Sequence, residues 1–103
     1  MLRAALGMAF YTYIAACKAR TAIYVGVTGD LHKRMAEHKS GRGSEHTRRY
    51  QIRDLVYFEE HQELGVAIAR ERKLKRWRRS WKNALIEQNN PRWHDLTMEV
   101  SFL

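Results

Sequence analysis

Residues 24–38 read YVGVTGDLHKRMAEH and join a short β-prone segment to a helical one. The stretch opens with apolar and aromatic residues typical of a strand, is interrupted by Gly26 and Gly29, and resumes with helical spacing from Asp30. Aspartate is a favoured residue at the start of a helix, and Thr28 just before it could serve in the same way. The pattern predicts a strand, a tight turn and a helix, and the rest of the chain can be placed around this unit.

Arg34 and His38 are four residues apart in the predicted helix, so their side chains are neighbours on its surface. A fixed cation and a titratable imidazole can therefore face one target together. Tyr24 enters the same neighbourhood from the strand, and Gly26 removes a side chain that would keep a ligand from the backbone. A phenol, a guanidinium and an imidazole suit a phosphodiester better than a carbonyl group. The alternative for Arg34 and His38 is an ordinary solvated helix face.

Two more strands and two more helices are predicted on either side. Aromatic and β-branched residues at 10–17 and 55–59 predict strands, and 22–27 returns as the hairpin partner of the first. Helical spacing continues from about 63 to 77 and from about 80 to 89.

Glu71 lies within the apolar stripe of the first of these helices, which is formed by Leu64, Ala67, Ile68 and Leu74. A carboxylate that points toward a core is costly unless a cation or hydrogen-bond donors meet it. Glu71 is therefore either a core-edge carboxylate satisfied by a neighbouring arginine or a metal ligand.

The last helix is expected to begin at Ser80, whose hydroxyl can cap it. Its inner face would carry Trp81, Ala84, Leu85 and Gln88, by helical spacing. Pro91 is expected to end it.

Nineteen Lys and Arg against eleven Asp and Glu give a net charge of +8 over 103 residues, which predicts one domain with a polyanionic partner. Nucleic acid is the first candidate, and the sequence does not separate DNA from RNA. A membrane is not expected, because no apolar run approaches the roughly 20 residues of a spanning helix. The basic segment 40–49 is either a phosphate-contacting loop or an ordinary solvated one. The cations expected to bind nucleic acid are Lys33, Arg42, Arg48, Arg49, Arg70, Lys73 and Arg76.

The expected organisation is a flexible extension at 1–8, a folded domain at 9–96 and a tail at 97–103, with Met8 as an alternative start. The single cysteine, Cys17, indicates a reducing, cytoplasmic setting without a disulfide framework. The five histidines lack the spacing of structural zinc sites.

Tyr11-Thr12-Tyr13 and Tyr24-Val25-Gly26, followed by Arg34, His38 and a later helical Glu71, resemble the GIY-YIG nuclease family, and especially its small stand-alone bacterial members. The resemblance runs from about residue 10 to residue 96. It implies a small α/β domain of the α+β type, in which a three-stranded, largely antiparallel sheet is flanked by helices. It also implies divalent-metal-dependent cleavage of DNA phosphodiester bonds with Mg²⁺ or Mn²⁺, in repair or recombination.

The same resemblance suggests roles for individual residues. Tyr24 would be the general base that activates water, with Tyr13 beside it to orient the attack. Arg34 would neutralise the scissile phosphate, and His38 would share or relay the tyrosine proton. Glu71 would bind the metal. Asn90 would match a late asparagine of the family that helps shape the site. Tyr11 replaces the glycine of the first motif, which implies weak activity or a specialised substrate.

Two other functions are compatible with the same sequence. A non-catalytic nucleic-acid-binding module would use the same positive charge and could stack bases on Trp77, Trp81 and Trp93. A protein-interaction adaptor would use the basic helix against an acidic partner.

Overall fold

Three strands and five helices make up residues 9–100, the part of the chain that the computed structural model describes. In chain order they are β1 (Phe10–Ala16), β2 (Ile23–Thr28), α1 (Leu31–Lys39), α2 (Glu45–Arg49), β3 (Asp54–His61), α3 (Leu64–Arg76), α4 (Arg79–Asn89) and α5 (Thr97–Val100). The three predicted strands and the three predicted long helices are present. The extension expected at 1–8 and the end of the tail at 101–103 lie outside the described residues.

The strands form one antiparallel sheet in the order β2-β1-β3. β1 is central, and its Tyr13 lies opposite Gly26 of β2 and Phe58 of β3. With helices packed on this sheet, the predicted α+β fold with three antiparallel strands is confirmed.

Each face of the sheet carries its own core, because successive residues of a strand point to opposite faces. The first core comprises Tyr11, Tyr13, Ala15, Leu31, Met35, Ile52, Leu55 and Val100. The second core comprises Ile14, Ala16, Val25, Val56, Leu74, Ile86 and Trp93. Helix α1 therefore packs on the face to which Tyr13 points, whereas α3 and α4 cover the opposite face.

Helix α1 begins and ends as the sequence predicts. Oδ1 of Asp30 accepts a hydrogen bond from the amide of Lys33 at 3.0 Å, which satisfies one of the free donors of the first turn. At the other end Gly41 has a φ of +79°, and its amide donates to the carbonyl of His38 at 3.2 Å. A glycine in this left-handed conformation is a common helix ending.

A short helix occupies residues 45–49, where the sequence indicated only a loop. The Ser44 hydroxyl accepts a hydrogen bond from the amide of Thr47 at 3.2 Å, and Thr47 is fully buried. Serine caps and an acidic first turn, here Glu45, favour helix formation. The loop prediction overlooked this cap.

The inner face of α4 differs from the predicted one. Ile86 is fully buried and Leu85 is half-buried, but Trp81 is 52% exposed and Ala84 and Gln88 are exposed as well. The periodicity is helical as expected, but tertiary packing turns a neighbouring stripe of the helix toward the sheet. A row of residues predicted to be core is consequently at the surface.

Two smaller predictions about helix residues are wrong. Leu64 is 47% exposed at the start of α3, whereas Ala67, one turn later, is fully buried. Helix α4 begins at Arg79 rather than at a capping Ser80, and no side chain within residues 9–100 caps it.

The beginning of the predicted tail belongs to the domain. Residues 97–100 form α5, and Val100 is 3% exposed in the first core. Within residues 9–100, none of the helices is long and apolar enough to span a bilayer.

Candidate active site

The phenol of Tyr13 lies at the centre of a cluster formed by Tyr13, Arg34, His38 and Tyr24, on the face of the sheet that carries the first core. This cluster is called the phenol group below. Tyr13 is fully buried, and its oxygen lies 2.9 Å from Nε2 of His38. Nε of Arg34 donates to the same oxygen at 3.3 Å. Because α1 places Arg34 and His38 one turn apart, both side chains meet on one phenol.

Hydrogen-bond chemistry fixes one partner of the Tyr13 oxygen. Arg34 has only donors to offer, so the oxygen accepts from it. The bond between the Tyr13 oxygen and Nε2 of His38 is donated by the phenol or by the ring, according to the imidazole tautomer.

Burial favours the uncharged form of each of these side chains, and the pKa values of Tyr13 and His38 reflect this. It raises the pKa of Tyr13 to about 12, although Arg34 opposes the change. Burial and the positive charge of Arg34 lower the pKa of His38 to about 4. Burial disfavours the charge of Arg34 as well, but hydrogen bonds to Tyr13 and Glu37 outweigh it and raise the pKa of Arg34. At neutral pH the group therefore carries one positive charge on Arg34, beside a neutral phenol and a neutral imidazole.

The guanidinium of Arg34 is held in place but remains accessible. Besides the bond to Tyr13, its Nη1 donates to Oε1 of Glu37 at 2.9 Å. The Arg34 side chain is 27% exposed. A fixed, partly exposed guanidinium can meet an anion without first being ordered, which favours phosphate binding.

Tyr24 packs its ring against this group from β2. Its ring centroid lies 6.2 Å from that of Tyr13, 5.6 Å from that of His38 and 6.5 Å from that of His46. Tyr24 is half-buried, whereas Tyr13 has no exposed surface. Tyr24 is therefore the phenol that a substrate or a water molecule can reach.

Gly26 is required by the close approach of the two tyrosines. A Cβ at this position would lie 2.6 Å from the Tyr13 oxygen and 2.7 Å from Cε2 of Tyr24. Real Cβ atoms do not come so close to other atoms, so any larger residue would push the two rings apart. The space left by Gly26 was expected to admit a ligand to the backbone. In the structure the rings of Tyr13 and Tyr24 occupy it instead.

His38 has one polar atom without a partner. Its Nδ1 is buried and makes no hydrogen bond to the described residues. The chain closes tightly over it, since a Cβ on Gly43 would lie 2.5 Å from Nδ1 and 2.6 Å from Oγ1 of Thr47. An unpaired buried polar atom costs free energy and is uncommon outside functional sites.

Glu71 does not contact the tyrosines among the described interactions. It lies on α3, which covers the opposite face of the sheet, and its Oε2 is 2.6 Å from Nζ of Lys75. The Glu71 side chain is 14% exposed, so the sequence was right that it points toward the protein. Its partner is a lysine, not the arginine considered above.

A metal ion at Glu71 would have few protein ligands. Within residues 9–100 no three His, Cys, Asp or Glu side chains cluster closely enough to hold an ion together. A single carboxylate is nevertheless a common arrangement for Mg²⁺, which keeps several waters and takes further oxygens from substrate phosphates. Lys75 is 52% exposed on a flexible stem, so an ion can displace it from Glu71. The residues present fit a hard divalent cation of this kind.

Asn90 is separate from the phenol group and serves the backbone. Its Nδ2 donates to the carbonyls of Val56 at 3.0 Å and His94 at 2.9 Å, and its Oδ1 accepts from the His94 amide at 3.0 Å. With both ends of the amide bonded to main chain, Asn90 fixes the segment after α4 to β3. The role in shaping the site that the resemblance implies for Asn90 stays a prediction.

Six of the seven predicted nucleic-acid-binding cations are exposed, and one is not free. Arg70 is half-buried, donates from Nε to Oε1 of Glu59 at 2.8 Å, and covers the ring of Trp77 at 5.3 Å. Arg70 is therefore already engaged in contacts that join α3 to β3, and it is not free to bind a phosphate. The exposed cations are Lys33, Arg42, Arg48, Arg49, Lys73 and Arg76.

Sequence reasoning missed three residues around the phenol group. Glu37 could have been found, because it lies three residues after Arg34 and can pair with it on the helix. His46 and Gly43 gave no comparable signal, since only the folded chain brings them to Tyr24 and His38.

Comparison with known proteins agrees with this architecture. The chain is 35% identical to a UPF0213 protein of Haloquadratum walsbyi over 78 residues. The aligned segment covers 76% of this chain and 86% of the relative. It is 36% identical to a UPF0213 protein of Syntrophus aciditrophicus over 83 residues, and this alignment covers 80% of this chain and 94% of the relative. The solution NMR structure of a UPF0213 protein from Bacillus halodurans has a TM-score of 0.54 and 29% identity, covering 87% of this chain and 95% of that one.

The family model of the GIY-YIG catalytic domain matches residues 9–84. This range holds both tyrosines, the arginine and histidine of α1, and the carboxylate of α3. Because the match covers most of the chain and all of these residues, the protein belongs to the GIY-YIG family.

Proposed function

We propose that this protein is a divalent-metal-dependent endonuclease that hydrolyses phosphodiester bonds in DNA. Its family is a nuclease family that acts on nucleic acids and generally requires a divalent metal. The observation that carries the proposal is the Tyr13 phenol, bonded to both Arg34 and His38, with the accessible ring of Tyr24 packed beside it.

Tyr24 is the general base in this proposal. A free phenol has a pKa of about 10, so a nearby positive charge is needed before it can accept a proton from water at neutral pH. Arg34 provides a permanent positive charge in the same group, since it hydrogen-bonds to Tyr13, against whose ring Tyr24 packs. In its phenolate form Tyr24 takes a proton from water while the water oxygen attacks phosphorus, so that a new P–O bond forms. The P–O bond to the leaving strand breaks, and the leaving oxygen takes a proton from solvent.

Tyr13 orients this group and is not itself the base. It is fully buried, its pKa is raised to about 12, and both of its hydrogen bonds are used within the protein. His38 shares a hydrogen bond with Tyr13 and stays neutral at pH 7, because burial lowers its pKa to about 4. The partly exposed guanidinium of Arg34 then neutralises charge on the scissile phosphate.

Glu71 would hold Mg²⁺ or Mn²⁺ once Lys75 is displaced. Because α3 covers the face of the sheet opposite to Tyr13, this part of the proposal requires the DNA to contact both faces. A divalent ion held by Glu71 would stabilise charge on phosphate oxygens and lower the pKa of water. The exposed cations of α1, α2 and α3 bind the DNA backbone without reading sequence. The free thiol of Cys17 supports a reducing compartment such as the cytoplasm.

The test is a nicking assay on supercoiled, branched and single-stranded DNA with Mg²⁺ or Mn²⁺. Tyr24→Phe and Arg34→Ala should each reduce the rate by at least about 100-fold. Tyr50→Phe is the matched control, because Tyr50 is 48% exposed and lies outside the phenol group. Equal cutting by Tyr24→Phe and the parent would remove the proposed base. A preference for branched DNA would support a role in repair or recombination.

The ion pair between Glu71 and Lys75 favours a second candidate function. If Lys75 keeps the carboxylate occupied, the same domain binds nucleic acid without cutting it. Salt-sensitive binding with no products under either metal would identify this non-catalytic module.

A further inference from the structure

An apolar groove lies where the end of α3 meets α4, on the side of the sheet away from the phenol group. It has a volume of about 450 Å³ and is lined by Trp77, Trp81, Ala84, Leu85 and Gln88. The two indole rings stand nearly perpendicular, at 84°, with centroids 6.1 Å apart. Trp81 is 52% exposed, and together with Trp77 it forms a contiguous apolar surface of the kind that marks binding sites.

Positive charge surrounds this groove. The guanidinium of Arg70 lies 5.3 Å from the ring centroid of Trp77, and that of Arg78 lies 5.3 Å from the ring centroid of Trp81. Residues 70–82 contain eight Lys and Arg and one acidic residue, Glu71, which already pairs with Lys75. Arg70 is already paired with Glu59, so Arg78 is the rim cation without an acidic partner within residues 9–100, and it complements a polyanion.

The start of α4 adds to this imbalance. Its N-cap is Arg78, no side chain caps it, and its first turn holds no acidic residue. Helix N-termini normally attract negative charge, so this one has cations where anions are favoured. A bound phosphate would relieve the repulsion among these arginines.

Flat aromatic surface with adjacent arginines is the combination that binds single-stranded nucleic acid. Bases stack on aromatic rings and phosphates pair with the cations. A duplex offers the same phosphates but keeps its base faces inside the stack. An acidic peptide would satisfy the charge but has no flat ring system for the indole of Trp81.

We propose that this groove binds an unpaired nucleobase, stacked on Trp81, with a neighbouring phosphate on Arg78. The substrate would then carry a single-stranded or splayed-out segment. Trp77 packs against the second core, whereas Tyr13 belongs to the first, so the groove is a second anchor for the strand. The inference rests on the proposed function only in taking nucleic acid as the partner, since binding here requires no cleavage.

The test measures binding with EDTA present, so that nothing is cut. The probes are a short single-stranded oligonucleotide, the same strand with abasic sites, and a blunt duplex of the same sequence. Trp81→Leu keeps an apolar side chain but removes the ring. It should weaken binding of the oligonucleotide by about 5- to 150-fold, the effect of one stacked base, and change abasic and duplex binding little.

Two further variants separate stacking from loss of fold. Trp81→Phe retains a ring face and should keep most of the affinity. Met98→Ala removes another large apolar side chain, 73% exposed on α5, and should bind like the parent. Quenching of tryptophan fluorescence by the oligonucleotide should be reduced in Trp81→Leu, whose thermal unfolding should match that of the parent.

The proposal is overturned if Trp81→Leu weakens abasic, duplex and intact strands equally, or if the parent binds the intact strand no better than the abasic one. It is also overturned if a poly-glutamate peptide quenches the tryptophans as strongly as the oligonucleotide, which would indicate a protein-docking surface. An absence of cleavage under every metal contradicts the nuclease proposal and leaves this binding result standing.

Discussion

The Tyr13 oxygen lies 2.9 Å from Nε2 of His38, and both side chains are almost completely buried. The bond joins the central strand to the helix that follows the β1-β2 hairpin, and Arg34 bonds to the same oxygen. A phenol that serves two partners in the interior has a structural task as well as a chemical one. The two tyrosines of the group should therefore respond differently to mutation.

Tyr13→Phe should destabilise the protein by about 1–3 kcal/mol, because it leaves Nε2 of His38 buried without a partner. His38 would then have both ring nitrogens unpaired, since Nδ1 already is. Urea unfolding gives the free energy directly, and an unchanged m-value would show that the denatured state is unaffected.

Tyr24→Phe is the matched comparison. Tyr24 is half-buried, so loss of its hydroxyl should change stability by less than about 0.5 kcal/mol while strongly reducing cleavage. If the two phenylalanine variants lose the same stability, the division of roles between the tyrosines is wrong.

The pKa of His38 predicts how stability depends on pH. It is near 6.5 in the unfolded chain and lowered to about 4 in the folded one by burial and by Arg34. Between these values the unfolded state binds the extra proton, so stability falls as the pH drops from about 6.5 to about 4. The loss attributable to His38 should reach about 3 kcal/mol at pH 4 and should be absent above pH 7.

His38→Gln should remove that part of the pH dependence. The difference in unfolding free energy between parent and variant should shrink as the pH falls from 7 to 4. His32→Gln is the control, because His32 is exposed on the same helix. Parallel pH profiles for the parent and His38→Gln would show that this imidazole does not titrate as described.

Local sequence was sufficient to predict the strand, turn and helix at residues 24–38. Gly26, the Asp30 cap and the spacing of Arg34 and His38 act over one or two turns, and their contacts are made largely within this unit and its hairpin partner. The i,i+4 distance between Glu71 and Lys75 is equally local, so this ion pair could have been predicted from the same rule.

Two features of the fold could not be predicted in this way. Helical periodicity would allow either of two neighbouring stripes of α4 to face the sheet. The packing of Ile86 in the second core and the hydrogen bond from Asn90 to the carbonyl of Val56 decide which stripe does so. The close approach of Gly43 to His38 likewise joins segments whose contact depends on the complete fold. These contacts exposed Trp81 and gave Asn90 a structural role.

Gly26→Ala should disrupt the phenol group. The added Cβ would lie 2.6 Å from the Tyr13 oxygen, so the two rings must separate, at a cost of about 1–3 kcal/mol. Cleavage should fall together with stability. Gly29→Ala is the control from the same turn. A Cβ on Gly29 would lie 3.7 Å from the Phe10 ring, which is an ordinary contact distance.

Thermal unfolding and the nicking rate of both alanine variants provide the measurement. Gly29→Ala should remain close to the parent in each. Normal activity in Gly26→Ala would mean that the close packing of Tyr13 and Tyr24 is not needed for the reaction.

Lys75 should compete with a divalent cation for Glu71. Its Nζ lies 2.6 Å from Oε2 of Glu71, so an ion must displace it before binding. Lys75→Gln should therefore lower the Mn²⁺ concentration needed for half-saturation, and Glu71→Gln should abolish binding. Lys73→Gln is the charge-matched control, because it removes an exposed lysine of the same helix.

Calorimetric titration of Mn²⁺ without DNA separates this competition from effects on cleavage or on DNA affinity. A general loss of positive charge would strengthen Mn²⁺ binding equally in Lys73→Gln and Lys75→Gln, which would contradict a specific role for the ion pair. If Glu71→Gln binds Mn²⁺ as the parent does, the ion is held elsewhere. The ion pair specifically gates the metal only if Lys75→Gln alone raises the affinity and Glu71→Gln removes it.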